Sequence, residues 1–242
     1  EAKLKLVRDE TAEVVRLNSM DFAGSWVDTN VAVKTLDVKS PQGEIIFAGE
    51  VQEAETYVGD GEGRFRWTQG EQTYAGTIEV VAHDAKADME LAITQPLRAH
   101  LALNLEQERE LPWTFHLSVP SFDPRDSLMP DSSLTSLAAD LAGRGTLSQG
   151  VTDGKLVING EAITFDRLAF TRDESALDLE ARILAGGGTL NADAAIQTSA
   201  TPAQAKVDAK WDRITVPEQW VGQVLRTHGE VLFEGSSESY RA

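Results

Sequence analysis

The chain has 242 residues, 22 Lys and Arg against 39 Asp and Glu, a formal charge of −17, and 41% hydrophobic side chains. That is apolar material enough for one or two domains, while the acidic balance argues against nucleic acid and against docking on an anionic membrane surface, both of which need clustered Lys and Arg. No cysteine occurs, which removes disulfides, Cys-based metal sites and thiol nucleophiles.

No apolar run approaches the ~20 residues of a membrane-spanning helix, and no signal-peptide pattern is present. The chain opens at Glu1, already inside the alternating segment Ala2–Leu6, and stops at Ala242 just after another. It reads as a window from a longer protein, with any anchor or targeting signal outside it.

Asp9–Leu17 fits strand or helix, with strand preferred. Pro41-Gln-Gly43 marks a turn, and Gly59-Asp-Gly61-Glu-Gly63 reads as a flexible hairpin tip. Period two then dominates: Phe65 and Trp67; Ile78, Val80 and Ala82; Met89, Leu91 and Ile93; Leu101, Leu103 and Leu105. Trp113, Phe115, Leu117 and Val119 alternate with Thr114, His116 and Ser118. Successive side chains of a strand point to opposite faces, so each run predicts a strand with one apolar and one wetted face.

Ser132–Leu141 breaks this rhythm. Leu134, Leu137, Ala138 and Leu141 fall at helical spacing after the capping candidates Asp131 and Ser132, which predicts a short helix over 132–141. Alternation resumes at Leu156 and Ile158; Ile163 and Phe165; Leu177, Leu179, Ala181 and Ile183; Leu190, Ala192, Ala194 and Ile196; and Val207, Ala209 and Trp211. Turns are expected at Asp153-Gly154, Asn159-Gly160 and Gly186-Gly-Gly188. Pro217–Leu225 predicts a second helix, with Trp220, Val221, Val224 and Leu225 as its apolar stripe.

The two helical segments sit in similar settings. Each follows an aromatic–Asp pair (Phe122-Asp, Trp211-Asp) and a Pro-bearing loop, and each precedes a strand begun by glycine (Gly143, Gly229). This suggests a repeat, with a fainter echo at Gly43–Gly49, and repeats stack into elongated sheets. The expected organisation is a β-sheet repeat region over 1–120, a β repeat with its helix over 121–210, and the start of the next repeat over 211–242.

Candidate chemistry is sparse. His83, His100, His116 and His228 are far apart in sequence and show no metal-ligand spacing, so no metal site is expected. Asp173, Glu174, Asp178 and Glu180 cluster, but Asp178 and Glu180 alternate with Leu177, Leu179 and Ala181 and so read as a solvated strand face. Gly59–Gly63 holds too few carboxylates for a calcium loop. No phosphate loop, dinucleotide fingerprint or Gly-x-Ser-x-Gly elbow occurs, so no catalytic residue and no cofactor are assigned and the chain is not expected to be an enzyme.

Several of these residues carry a family resemblance. Trp113-x-Phe-x-Leu-x-Val before Ser121-Phe-Asp-Pro, Gly145-Thr-Leu, Asn159-Gly160 before Ile163-Thr-Phe, and Val216-Pro217…Gly222-Gln-Val-Leu…Gly229 resemble the TamB family. This is the inner-membrane subunit of the translocation and assembly module of Gram-negative bacteria, within the AsmA-like, bridge-forming lipid-transfer proteins. The likeness is firmest over 113–242, with Phe65-Arg-Trp67 and Tyr74-Ala-Gly76 the best matches earlier. It implies a mainly β fold curled into a half-pipe or taco with an apolar concave face. It also implies a periplasmic place in a protein anchored in the inner membrane, and phospholipid transport that supports outer-membrane protein and autotransporter assembly. The TamA barrel partner implied for the whole protein is not expected to bind this window.

The residues support a lipid groove on their own terms. Two short helices are too few to roof such a sheet, so its apolar face needs an apolar cover from outside. Acyl chains would provide one, at about 0.8 kcal/mol per buried CH₂. The predicted lining is Phe65, Trp67, Ile78, Val80, Met89, Leu91, Ile93, Leu101, Leu103, Leu105, Trp113, Phe115, Leu117, Val119, Leu156, Ile158, Ile163, Phe165, Leu177, Leu179, Ile183, Leu190 and Ile196. The alternative is a β-sandwich module that binds carbohydrate or protein through outward aromatics such as Trp26 and Tyr74.

Overall fold

The computed structural model describes residues 2–8, 11–53, 55–69, 71–126, 133–199, 202–236 and 240–241. The chain is mainly β, with almost no helix, and divides into two compact units, Glu1–Glu108 with Asp126–Pro130, and Arg109–Arg125 with Asp131–Ala242. The division at Glu108 and Arg109 lies ahead of the boundary expected at 120, in the polar stretch before Trp113.

In the first unit, β1 (Ala2–Arg8) and β2 (Thr11–Leu17) form a hairpin that is a sheet of its own. The strands β3 (Ser19–Val27), β4 (Asn30–Ser40), β5 (Gly43–Glu53), β6 (Tyr57–Gln69), β7 (Gln72–His83), β8 (Lys86–Gln95) and β9 (Ala99–Glu106) then pair antiparallel in chain order. The second unit repeats this plan with β10 (Trp113–Phe122), β11 (Leu137–Gly145), β12 (Gln149–Ile158), β13 (Glu161–Arg172) and β14 (Ala176–Ala185). It continues through β15 (Gly188–Gln197), β16 (Gln204–Val216), β17 (Leu225–Ser236) and the short β18 (Tyr240–Arg241).

Tight turns make this meander. Asp84-Ala85, Asn159-Gly160 and Gly186-Gly187 each join two strands with both φ values positive, at 48° and 61°, 52° and 85°, and 56° and 75°. Turns of that hand match the twist of the strands they connect.

Some expectations are corrected. The helix expected over 132–141 does not form: Leu137–Leu141 lie in β11, paired to β10 and β12, and 127–132 fall outside the described residues. Leu137 and Leu141 satisfy a helical and an alternating template equally, and the ladders on both sides decide for strand. The second helix shrinks to one turn, α1 (Glu218–Val221), ended by Gly222 at φ 78° with its amide bonded to Glu218 O at 2.7 Å. Leu225 already belongs to β17. The two segments therefore do not hold equivalent places. Gly59–Gly63 and Asp153-Gly154 are not turns either; they lie inside β6 and β12.

An uncovered apolar face as the candidate functional site

Strand register decides which side chains share a face, because directly opposed residues point the same way. In the first unit, Ile45 stands opposite Phe65, and Phe65 opposite Gly76. Ile78 faces Leu91, Leu91 faces Leu101, Val80 faces Met89, and Met89 faces Leu103. Trp67 and Tyr74 are opposed, as are Ile93 and Ala99, and Ala87 and Leu105. Every apolar residue predicted for this half falls on that face.

The second unit behaves alike. Leu117, Leu141, Gly154, Phe165, Ile183, Leu190 and Trp211 form one row across β10 to β16. Val119, Ala139, Leu156 and Ile163 form the next. Leu177 with Ile196, and Leu179 with Ala194 and Val207, complete the set, and Trp113, Phe115 and Ile158 belong to the same parity. Thr114, His116, Ser118, Asp178 and Glu180 take the opposite face, as their alternation predicted. Among the described residues of β3 to β17, the charges on the apolar parity are Glu53, Glu161 and Arg172, all at strand ends.

Sequence reasoning missed part of this surface. Met20, Phe22 and Trp26 of β3 and Val31, Val33, Leu36 and Val38 of β4 share the face of Ile45 and Phe47. The alternation of β4 is interrupted where it carries one extra residue between Val33 and Leu36, while that of β3 is unbroken but passes through Gly24. Leu168 and Phe170 were hidden the same way, by the bulge at Asp166. A bulge shifts the parity of one strand without changing its face, so a strict period-two template loses the track.

Glycine has a specific use here. Gly63, Gly76, Gly143, Gly145, Gly150 and Gly229 stand directly opposite Phe47, Phe65, Phe115, Trp113, Phe170 and Trp211. Each ring lies over its glycine: a Cβ on Gly63 would meet Phe47 Cδ2 at 3.1 Å, and one on Gly150 would meet Phe170 Cε1 at 2.5 Å. Trp113 and Phe115 stack with centroids 5.9 Å apart, and Trp113 Nε1 donates to Thr146 O at 3.0 Å. Rings laid across glycine cover the backbone of a sheet that no second layer covers.

Within each unit, no second layer lies over this face among the described residues. Among the described residues no aliphatic or aromatic side chain is buried, Pro124 being the one large side chain that is; Leu179 is 39% exposed and Trp26 79%. The chain exposes 16531 Å², against roughly 10,600 Å² for a compact monomer of this size. A β-sandwich needs a core between two sheets, and the described residues within each unit form none.

The polar face carries ordered charge instead. Glu62, Glu79 and Glu90 stand in one cross-strand row, as do Glu180, Asp193 and Asp208. Arg167 Nε meets Glu180 at 2.9 Å and Arg182 Nε meets Asp166 at 3.2 Å, all exposed. His100 and His116 pair with Glu90 and Asp140 at 2.7 and 3.2 Å. At the β13–β14 turn, amides of Ser175 and Ala176 and the Ser175 hydroxyl donate to Asp173 and hold its carboxyl below the usual range. An open depression of about 530 Å³ lies among Ile46, Ala48, Glu62, Arg64, Thr77 and Glu79. Among the described residues no three His, Asp or Glu are placed to hold a metal ion. Comparison with known proteins finds no matching family model, no matching curated protein and no matching solved structure.

Proposed function

We propose that this chain carries phospholipid acyl chains along the uncovered apolar face of its sheet, as a segment of a longer periplasmic lipid conduit of the TamB type. The observation that carries this reading is a face that, across β3 to β17, is free of charge except at strand ends, with no buried aliphatic or aromatic side chain among the described residues.

The chemistry of the face selects its occupant. Away from the sheet edges, backbone donors and acceptors are committed to neighbouring strands, and the face itself offers mainly Ala, Leu, Ile, Val, Phe and Trp side chains. A peptide laid across it would lose hydration of its amides and gain no partners. A hydrocarbon chain makes no such demand and gains about 0.8 kcal/mol per buried CH₂. With only scattered hydroxyls on the face, such as those of Tyr57, Tyr74 and Thr152, an acyl chain is free to slide. The net charge of −17 repels anionic headgroups, so attraction is confined to the acyl chains. The motifs resembling TamB point the same way.

The test is lipid extraction and native mass spectrometry of the purified chain beside its variants Leu103→Asp and Leu179→Arg. Co-purifying phospholipid is expected in the wild type and lost in the variants, with their melting temperatures nearly unchanged because the new charges reach water. A folded wild type free of lipid, or variants that retain it fully, would overturn the proposal. Variants that unfold would place these residues in a dry core, where a buried charge costs several kcal/mol.

A further inference from the structure

The charges of the first unit are sorted across the width of its sheet. Ala48, Glu62, Glu79 and Glu90 form a cross-strand row along the middle. On one side of that row the strands end in the β4–β5, β6–β7 and β8–β9 turns. There Lys39, Arg64, Arg66 and Arg98 balance Asp21, Asp37, Glu44 and Glu71. On the other side Glu50 opposes Asp60, and Asp88 stands in the same row across Val81. Asp28, Glu53, Glu55, Asp84 and Glu106 continue toward the strand ends, with Lys86 the one cation there among the described residues of β3 to β9.

The balanced margin also holds a recess. An open depression of about 370 Å³ at the β4–β5 turn is lined by Lys39, Gln42, Gly43, Glu44, Arg66 and Thr68, among others. Gly43 stands opposite Trp67 on the apolar parity, whereas Lys39, Glu44 and Arg66 lie on the polar one. The depression therefore joins the two faces at the rim of the sheet. Lys39 Nζ is bonded to Asp37 at 2.8 Å. Arg64, Arg66 and Arg98 form no ion pair with a described residue. A long Arg side chain near a strand end carries its guanidinium past an apolar rim, and it takes phosphate oxygens by charge-assisted hydrogen bonds.

We propose that a glycerophospholipid binds the first unit in one orientation, its chains on the apolar face and its phosphate at the margin of Lys39, Arg66 and Arg98. This rests on the acyl-chain reading of the face and adds to it the side on which the headgroup travels. The charge that repels anionic groups is concentrated along the opposite margin, so orientation follows without a deep pocket. Arg66 and Asp60 lie six residues apart on β6, about 20 Å at the rise of a strand. That is twice the screening length of about 10 Å at 0.1 M salt, so a phosphate at one margin responds to that margin alone. Lipids passing along the sheet keep their phosphates on one side, and the acidic margin stays bare.

The absence of cysteine allows a single fluorophore at either margin, on Gln42→Cys in the β4–β5 turn or Thr29→Cys in the β3–β4 turn, both exposed. Each labelled, delipidated chain is loaded from phosphatidylcholine vesicles, which are then removed. The lipid carries a nitroxide either in its acyl chains or on its headgroup. The chain nitroxide is expected to quench both positions, and the headgroup nitroxide to quench residue 42 roughly threefold more than residue 29. That ratio should fall toward one in about 0.5 M salt, and in the folded triple variant Lys39→Gln, Arg66→Gln, Arg98→Gln. Quenching by neither lipid would overturn the acyl-chain reading and the orientation with it. Chain quenching at both positions with headgroup quenching equal, or stronger at residue 29, would overturn the orientation alone. So would a ratio unmoved by salt and by the triple variant, which removes its electrostatic cause. Relief of the residue 42 quenching by inorganic phosphate at constant ionic strength would replace the headgroup site with one for free anions.

Discussion

At Gly150, two rings take the place a side chain would fill: a Cβ would lie 2.5 Å from Phe170 Cε1 and 2.8 Å from Trp113 Cζ2. Replacing a strand glycine whose backbone tolerates alanine ordinarily stabilises by about 0.4–1 kcal/mol, through the unfolded chain. Here the methyl group must displace both rings, and overpacking of that kind costs about 1–3 kcal/mol. The expected sign is therefore reversed. Gly150→Ala should destabilise the second unit in urea titration, and Phe170→Leu in the same chain should recover part of the loss.

The elements are strands whose polar faces bring carboxylates into register. Glu79 lies between Glu62 and Glu90, and like charges directly opposite destabilise a ladder by about 0.2–1 kcal/mol. His100 offsets only the Glu90 end of the row, at 2.7 Å. Glu79→Gln should raise the melting temperature at low ionic strength and flatten its dependence on salt, because screening already weakens exposed repulsion in the wild type. A variant as salt-dependent as its parent would show that the row is not a source of strain. The Lys210–Asp208 contact at 3.7 Å, both partners about half exposed, is worth little by the same reasoning.

For the whole molecule, the governing quantity is surface left in water. With 16531 Å² exposed, folding removes roughly a fifth less area than it does for a compact protein of this length. Heat-capacity change and urea m-value both scale with that area. Calorimetry of the delipidated chain should accordingly give a heat-capacity change roughly a fifth below the ordinary 12–15 cal/mol/K per residue. An ordinary value would mean that the apolar faces are covered in solution.

Phe65, Leu91, Leu117 and Leu179 show how far alternation alone reaches. Their faces follow from period two, since a strand has two sides and a one-sided apolar pattern leaves one choice. The Asn159-Gly160 and Gly186-Gly187 turns are equally local, because positive φ at adjacent positions is a property of those residues. The strands, their faces and these turns are thus settled by the amino-acid sequence. Other features depend on neighbours distant in sequence. Leu137–Leu141 became strand because β10 and β12 offered ladders on both sides, and Gly61 and Gly154 stayed inside strands because neighbouring strands and rings fill the space their side chains would occupy. The bulges at Lys34 and Asp166, which return Leu36 and Leu168 to the apolar face, are defined only by the opposing strand. Pairing across strands is a long-range event, so the tertiary structure alone decided register and glycine packing.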